Sequence, residues 1–212
     1  MNNVIKKIIR TIVYYASIVY SYDVNLKIRK LSDFIYTLWL RNFLGKVGNH
    51  VSFSKPFLLE GDGLDFVLIG ENVRFHSNCV LGCRQTYGHK KFKPSIEIGN
   101  NCDFGEYNHI SSVNRIVIGD GFLSGRFVLI SDNSHGSNTL QESQLPPAKR
   151  ELFSKGEIII GKNVWIGDQV VVLANVHIGD NVIVAANSVV TKDIPSNCVA
   201  AGIPAKVVKE IE

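Results

Sequence analysis

The residue best suited to acid–base chemistry is His135, in the segment Ser131-Asp132-Asn133-Ser134-His135-Gly136. An imidazole titrates near neutral pH, so it can accept a proton from a substrate hydroxyl. Asp132 or Asn133 could orient the ring, although a main-chain carbonyl would serve equally well. Polar residues followed by glycine indicate an exposed turn. His135 is therefore the candidate general base, and an ordinary surface histidine is the alternative.

The other five histidines are His50, His76, His89, His109 and His177. His109 is the second candidate base, and His177 is expected to face solvent. A zinc hydratase would need three histidines, two of them a few residues apart. The closest two in this chain, His76 and His89, are thirteen residues apart. No metal site is therefore predicted.

A six-residue period in the sequence predicts the kind of fold that positions these side chains. An aliphatic residue recurs at every sixth position, at Ile160, Ile166, Val172, Ile178, Val184 and Val190. The fifth place of each hexad is again apolar or small, at Val164, Val170, Val176, Val182, Ser188 and Ile194. A helix cannot keep this period, whereas short strands separated by corners can. Three such sides close a coil of about 18 residues, so the period predicts a stacked parallel β-helix.

The same rhythm begins loosely at Val47 and is interrupted twice, at 84–95 and at 136–156. The second interruption contains Pro146-Pro147. We therefore expect a β-helix domain over 47–209 with two extruded loops. Loops of this kind usually lie over a functional groove.

Residues 1–46 follow helical spacing and are basic, with eight Lys and Arg against Asp23 and Asp33. The net charge of the whole chain is +4, so the remainder is slightly acidic. The apolar stretch is too short and too charged to span a bilayer comfortably. We expect two helices that pack on each other and cap the first coil. The alternative, which can coexist with capping, is a peripheral amphipathic contact with the inner membrane.

Four cysteines, at 79, 83, 102 and 198, form no CxxC pair, and no signal-peptide layout opens the chain. Cys79 and Cys102 occupy fifth places of hexads, where a small buried hydrophobe is expected. Reduced, structural cysteines in a cytoplasmic protein are therefore predicted. The sequence has no glycine-rich phosphate loop and no nucleic-acid motif, so no nucleic-acid partner is expected.

Several segments, Ile130–His135, Ile158–Gly167, Val189–Pro195 and Ala200–Lys206, resemble the left-handed β-helix hexapeptide acetyltransferases. The likeness covers 96–209 and is greatest to the branch of galactoside, maltose and polysaccharide O-acetyltransferases. It implies an all-β, left-handed parallel β-helix that forms a homotrimer with active sites between neighbouring chains. It also implies acetyl-CoA as acyl donor, no metal, and a sugar hydroxyl of a polysaccharide, O-antigen or capsule precursor as acceptor.

The resemblance also implies roles for single residues, with His135 as the catalytic base. Trp165 would flank the thioester, Ala185 and Ala186 would let the backbone approach acetyl-CoA, and Thr191, Lys192 and Lys206 would meet its phosphates and adenine. Glu106, Asn108 and Asp132 would hold the acceptor. Each also has an ordinary structural explanation, such as an interface aromatic, a small corner residue or a solvated lysine.

Two other functions stay open at this point. The first is acetyl transfer to the amino group of a nucleotide-linked amino sugar. The second is a non-catalytic β-helix subunit of an assembly, which the acetyl-CoA-like C-terminal segment disfavours.

Overall fold

Three parallel β-sheets form the body of the molecule in this computed structural model, which describes residues 1–137 and 139–211. The chain visits the three sheets in rotation, so each turn of the chain adds one strand to each sheet. The first sheet contains Lys46–Val47, Val67–Ile69, Ser95–Ile98, Arg115–Ile118, Ile158–Ile160 and Val176–Ile178. The second contains Ser52–Phe53, Arg74–Phe75, Asp103–Phe104, Leu123–Ser124, Trp165–Ile166, Ile183–Val184 and Cys198–Gly202. The third contains Phe57–Glu60, Cys79–Cys83, His109–Ser112, Leu129–Ser131, Val171–Leu173 and Val189–Val190.

The six-residue period sets the register of these sheets. In the first sheet Ile118 pairs with Ile160, which pairs with Ile178. Every first and fifth place of the predicted hexads is buried. The fourth places form corners with positive φ, at Asn163, Gln169, Asn175, Asn181 and Asn187. Short polar side chains such as asparagine tolerate this left-handed conformation best. The predicted parallel β architecture, with first and fifth places facing inward, is confirmed.

The core changes character along the axis. Four buried phenylalanines line the early coils, at Phe53, Phe75, Phe104 and Phe122. Their successive ring centroids are 5.1, 4.5 and 5.1 Å apart. The later coils are filled with valine and isoleucine instead. A continuous column of apolar side chains therefore runs through the coils.

The four cysteines are free thiols and all are buried. Burial raises the pKa of Cys79 to about 11 and that of Cys83 to about 12. Both thiols are therefore protonated at neutral pH and act as small apolar side chains.

Helix α1 spans Asn3–Val19 and helix α2 spans Tyr22–Leu40, followed by a single 3₁₀ turn at Arg41–Phe43. The end of α2 covers the open edge of the first coil. The Thr37 hydroxyl accepts a hydrogen bond from the Phe53 N–H (2.9 Å), and the Tyr36 hydroxyl donates to the Phe57 carbonyl (2.7 Å). An uncovered strand edge would invite pairing with another chain, so α2 provides the expected cap.

Helix α1 behaves differently, because none of its residues is buried. The expectation that the two helices pack on each other is therefore wrong. Helix α1 ends with Tyr20 as its C-cap, and Ser21 is the N-cap of α2, so the two helices are separate elements. In the described residues no helix combines the length and apolar character that a bilayer crossing requires.

Both predicted loops leave the body and carry some secondary structure of their own. Within 84–95, strands Thr86–Tyr87 and Lys90–Lys91 form an antiparallel hairpin. Within 136–156 there are a short helix α3 (Leu140–Ser143), a 3₁₀ turn (Pro147–Lys149) and strand Leu152–Phe153. Asn138 of the second loop lies outside the described residues. A further 3₁₀ turn covers Leu64–Phe66. The last described strand, Ala205–Glu210, pairs antiparallel with Cys198–Gly202 at the edge of the second sheet.

Candidate active site

His135 stands where the chain leaves the third sheet for the long loop. Strand Ser134–His135 pairs antiparallel with Leu152–Phe153, so that His135 lies opposite Leu152. The Gly136 N–H donates to the Glu151 carbonyl at 2.8 Å and ties the loop ends together. This pairing fixes the backbone of His135 while its side chain stays exposed.

The His135 side chain faces a cleft of about 430 Å³ on the outer face of the third sheet. The sheet, the hairpin and the long loop all contribute to its walls. The lining residues that could bind or react are Glu60, Arg84, Tyr87, His109, Ser111 and His135. Both candidate bases therefore share one cleft.

Within the residues that the structure describes, the side chain that hydrogen-bonds to the His135 ring is that of Tyr87. Its hydroxyl lies 3.5 Å from Nδ1, and the two rings meet edge to face with centroids 5.5 Å apart. The sequence analysis missed Tyr87, because the two residues are 48 positions apart and the hairpin has no six-residue period. Its location in an interruption of the repeat was the one available signal.

The hairpin that carries Tyr87 is anchored at both sides. The Asp62 carboxylate accepts hydrogen bonds from the Gln85 N–H (2.7 Å) and the Thr86 N–H (3.2 Å). The Thr86 hydroxyl also donates to Asp62, and this bond lowers the pKa of the carboxyl group. On the other side the Lys90 ammonium donates to the Leu152 carbonyl at 3.2 Å, which joins the hairpin to the long loop. Tyr87 is therefore held near His135 by fixed contacts.

The opposite part of the cleft contains an ion pair beside His109. Arg84 Nη2 lies 2.7 Å from Glu60 Oε2, and both side chains are about one-third exposed. Burial lowers the pKa of His109, and the Arg84 charge acts in the same direction, whereas the Glu60 charge opposes them. The lowered pKa favours the neutral imidazole of His109, which can both donate and accept hydrogen bonds.

Asp132 points into the protein and away from the cleft. Its side chain is fully buried, and its carboxylate accepts from the Val113 N–H (2.9 Å), the Asn114 N–H (3.0 Å) and the Ser112 hydroxyl (2.6 Å). Burial raises its pKa, and these hydrogen bonds oppose the shift. Asp132 therefore does not line the cleft, where a contact with an acceptor was expected. Asp132 instead fixes the corner from which Ser134–His135 departs.

Asn133 fixes the same corner from outside. Its amide donates to the Ser111 carbonyl and hydroxyl, both at 3.1 Å. The amide therefore ties the strand that ends at Ser131 to the neighbouring strand His109–Ser112. Neither Asp132 nor Asn133 makes the hydrogen bond to His135 seen here, whose partner is Tyr87.

A second cavity of about 460 Å³ adjoins the cleft along the third sheet. Ser131 and Asn133 line both spaces, which makes them neighbours. The second cavity is further lined by Phe153, Lys155, Leu173, Ala174 and Thr191. Of the residues predicted to contact acetyl-CoA, Thr191 is therefore the one that lies on the same surface as His135. Lys155 is a cation on this surface that the sequence analysis missed.

The remaining predicted site residues lie elsewhere in the single chain. Trp165 is exposed on the second sheet, in register with Leu123 and Ile183. Ala185 and Ala186 form the corner after strand Ile183–Val184, and Lys192 and Lys206 are exposed. None of these five residues lines the cleft or the second cavity.

Two predicted acceptor contacts are also absent from the cleft. Asn108 is buried, where its amide donates to the Ser124 hydroxyl and accepts from the Val128 N–H (2.8 Å). Glu106 pairs with Arg126 at 3.4 Å at another corner. Within residues 1–137 and 139–211, no group of three or more His, Cys, Asp and Glu side chains is placed to hold a metal ion.

Comparison with known proteins identifies the repeat. Residues 157–192 match the model of the bacterial transferase hexapeptide (six repeats). This chain carries the hexapeptide-transferase repeat. The matched segment contains Trp165 and ends at Lys192, within the stretch whose spacing predicted the β-helix. The resemblance to hexapeptide-repeat acetyltransferases is confirmed.

Curated relatives of this hexapeptide-repeat chain are named as O-acetyltransferases. A protein of Escherichia coli K12 named for O-acetyl transfer in lipopolysaccharide biosynthesis is 40% identical over 119 residues, covering 54% of this chain and 60% of the relative. The galactoside O-acetyltransferase of the same organism is 41% identical over 152 residues, covering 69% and 64%. The chain therefore spans less than two thirds of the length of either relative.

Solved structures support the fold. The N-acyltransferase AntD of Bacillus cereus, in a complex with dTDP and coenzyme A, superposes with a TM-score of 0.66 at 21% identity, covering 83% of this chain and 89% of that one. A hexapeptide-repeat acetyltransferase of Vibrio cholerae complexed with acetyl coenzyme A gives 0.55 at 24% identity, covering 81% and 74%. At these identities the likeness concerns the fold alone.

Proposed function

We propose that this protein transfers an acetyl group from acetyl-CoA to a sugar hydroxyl, in a polysaccharide, O-antigen or capsule precursor, with His135 as general base. The observation that carries the proposal is the placement of His135: its exposed ring opens on a polar cleft, and the adjoining cavity reaches Thr191 in the repeat. The names of the curated relatives support O-acetyl transfer to sugars. We also infer the left-handed winding typical of this repeat.

The mechanism follows from the hydrogen bond at Nδ1. When Nδ1–H donates to the Tyr87 oxygen, Nε2 is unprotonated and can accept the acceptor's proton. The hydroxyl oxygen then attacks the thioester carbonyl carbon, the C–S bond breaks, and the imidazolium returns its proton to the thiolate of coenzyme A. The products are an acetyl ester and free coenzyme A. His109, neutral and in the same cleft, is suited to bind an acceptor hydroxyl.

The donor side is proposed to begin in the second cavity. Lys155 and Thr191 line it, so a cation and a hydroxyl are available for phosphate groups. The small Ala174 side chain leaves room beside Thr191. This chemistry fits a thioester carried on a phosphorylated nucleotide. Because acetyl-CoA is a cytoplasmic metabolite, we place the reaction in the cytoplasm.

A complete site is proposed to need a second chain, as expected for a homotrimer. Trp165, Ala185 and Ala186 belong to the second sheet or its corner, whereas His135 faces a cleft on the third. Two faces of one three-sided body point in different directions and cannot close one pocket. A neighbouring chain that packs its second sheet against the third would bring these residues together. Lys206, at the edge of the second sheet, would then contact the nucleotide end of acetyl-CoA.

A thiol-release assay with acetyl-CoA tests the function over a panel of glycans, free sugars and nucleotide-linked amino sugars. We expect release with a hydroxyl acceptor and a 10²–10⁴-fold loss, order of magnitude, in His135→Ala. His177→Ala is the matched control, because His177 is exposed on the first sheet away from the cleft. Retention of more than about a tenth of the turnover in His135→Ala would refute the role of His135. Release only with amino sugars would show N-acetyl transfer, and no release with the whole panel would favour a non-catalytic subunit.

A further inference from the structure

Helix α1 presents an apolar face that nothing in the chain covers. Every one of its 17 residues is exposed. At about 3.6 residues per turn, its large aliphatic side chains gather on one side of the helix. These side chains are Val4, Ile5, Ile8, Ile9, Ile12, Val13, Ile18 and Val19, each at least 45% exposed.

The opposite side of α1 is cationic. Lys6, Lys7 and Arg10 share that side with Ser17, and the helix contains no acidic residue. The helix therefore separates a wide apolar face from a narrow basic one. Its length and its three charges are unlike those of a helix that crosses a bilayer. This distribution is typical of helices that lie in the plane of a membrane surface.

Helix α2 extends the uncovered surface. Its Thr37 and Leu40 are buried against the first coil. The face turned away from the coil carries Leu31, Phe34, Ile35, Leu38 and Trp39, all of them exposed. Contiguous exposed apolar patches on soluble monomers are rarely larger than a few hundred Å², and larger ones mark interaction sites. Both helices therefore expose apolar side chains that an interaction partner would cover.

Charge decides which occupant suits this surface best. A second copy of α1 would bring its own three cations and no anions to the contact. An anionic lipid bilayer offers both an apolar interior and negative headgroups. Tyr14, Tyr15, Tyr20 and Tyr22 at the end of α1 and the start of α2 are of the type that settles at the headgroup level.

We propose that α1 lies in the plane of an anionic lipid bilayer, with its aliphatic face among the acyl chains and Lys6, Lys7 and Arg10 at the phosphates. The exposed face of α2 continues this contact. The inference is independent of the acyl transfer proposed above, since it uses no residue of the cleft. It explains why the expected packing between the helices is missing: the face that would be buried between them is the face that meets lipid.

Sedimentation of the full chain with vesicles tests this contact. We compare phosphatidylcholine vesicles with and without phosphatidylglycerol and expect strong binding to the anionic ones, weakened by salt. Each cation near such a surface changes the membrane partition coefficient by about fivefold. The partition coefficient of Lys6→Glu/Lys7→Glu/Arg10→Glu should therefore fall by about a hundredfold or more. Ile8→Glu/Ile12→Glu should abolish binding, while thermal unfolding of the body stays unchanged because neither side chain is buried.

The matched control is Lys149→Glu/Lys162→Glu/Lys209→Glu, which makes the same change in net charge at exposed positions outside the helices. It should retain the parental partition within about twofold. Equal loss in this control would show a general charge effect and overturn the proposal. Failure of the parent chain to bind anionic vesicles would overturn it as well. So would a change of oligomeric state in Ile8→Glu/Ile12→Glu without vesicle binding by the parent, which would assign the face to a second copy.

Discussion

Replacing Asp132 by asparagine tests how the corner before His135 is built. Both carboxylate oxygens are used: Oδ1 accepts from the Val113 N–H, and Oδ2 accepts from the Asn114 N–H and the Ser112 hydroxyl. An amide has one oxygen, so its NH₂ group must face one of the two backbone N–H groups. The variant therefore leaves a buried donor without an acceptor.

The expected loss follows from those bonds. A hydrogen bond to a charged group contributes about 1.5–3 kcal/mol, and an unsatisfied buried donor costs about 1–3 kcal/mol. Removing the buried charge offsets part of this, because burial raises the pKa of Asp132 and so disfavours its ionised form. We expect Asp132→Asn to lower the free energy of unfolding by about 2–4 kcal/mol.

Urea unfolding followed by circular dichroism measures this loss. Asp168→Asn is the matched control, because Asp168 makes the same kind of bond, from the Arg126 N–H at 2.8 Å, but is exposed. Water can replace a lost partner there, so the control should change stability by less than about 1 kcal/mol. The reasoning is refuted if Asp132→Asn unfolds within about 0.5 kcal/mol of the parent chain, or if both variants lose equally.

Three further outcomes are expected. Tyr87→Phe should lower kcat/KM by up to about tenfold, since a neutral hydrogen bond contributes about 0.5–1.5 kcal/mol. Steady-state kinetics measure this loss, and an unchanged kcat/KM would contradict a role for the Tyr87 hydroxyl. Phe104→Ala should lower the free energy of unfolding in urea by about 3–5 kcal/mol, because its buried ring packs between Phe75 and Phe122. A loss below about 1 kcal/mol would contradict this packing. The pKa of Cys79, about 11, and that of Cys83, about 12, lie above the unfolded value of 9.0. Their contribution to stability is therefore fully present below pH 9 and is lost as the pH rises toward 12. The free energy of unfolding should accordingly be lower at pH 10 than at pH 8.

Sequence spacing predicted most of the body, because the interior of each coil requires an apolar or small side chain at the same places in every six residues. Ile166 and Val184 recur in register for that reason, and Ser188 fits the same inward place because it is small and its hydroxyl accepts from the Gly202 N–H at 3.0 Å. The helical spacing of α1 and α2 was also readable. The sequence could not predict whether the two helices pack on each other, because an amphipathic face indicates only that it needs some apolar partner.

The candidate site was predicted in part. His135 and Thr191 lie on adjoining surfaces, whereas Asn108 and Asp132 turn inward to satisfy buried backbone and hydroxyl groups. The direction of a polar side chain at a corner depends on which N–H groups its neighbours leave unpaired. Those N–H groups belong to the neighbouring coil, about 20 residues away in this chain. The six-residue period alone does not predict which of them are unpaired.

The sequence by itself determined the repeating strands and the buried columns, because these depend on contacts between residues at a fixed spacing. The exposure of His135 was indicated separately, by the polar turn in which it lies. Only the tertiary structure decided that Tyr87 reaches His135, that Arg84 pairs with Glu60 beside His109, and that α1 remains uncovered. Those outcomes depend on how two irregular insertions and one free helix lie relative to the coils. No local preference fixes such distances, since they are set by where each loop is anchored on the finished body.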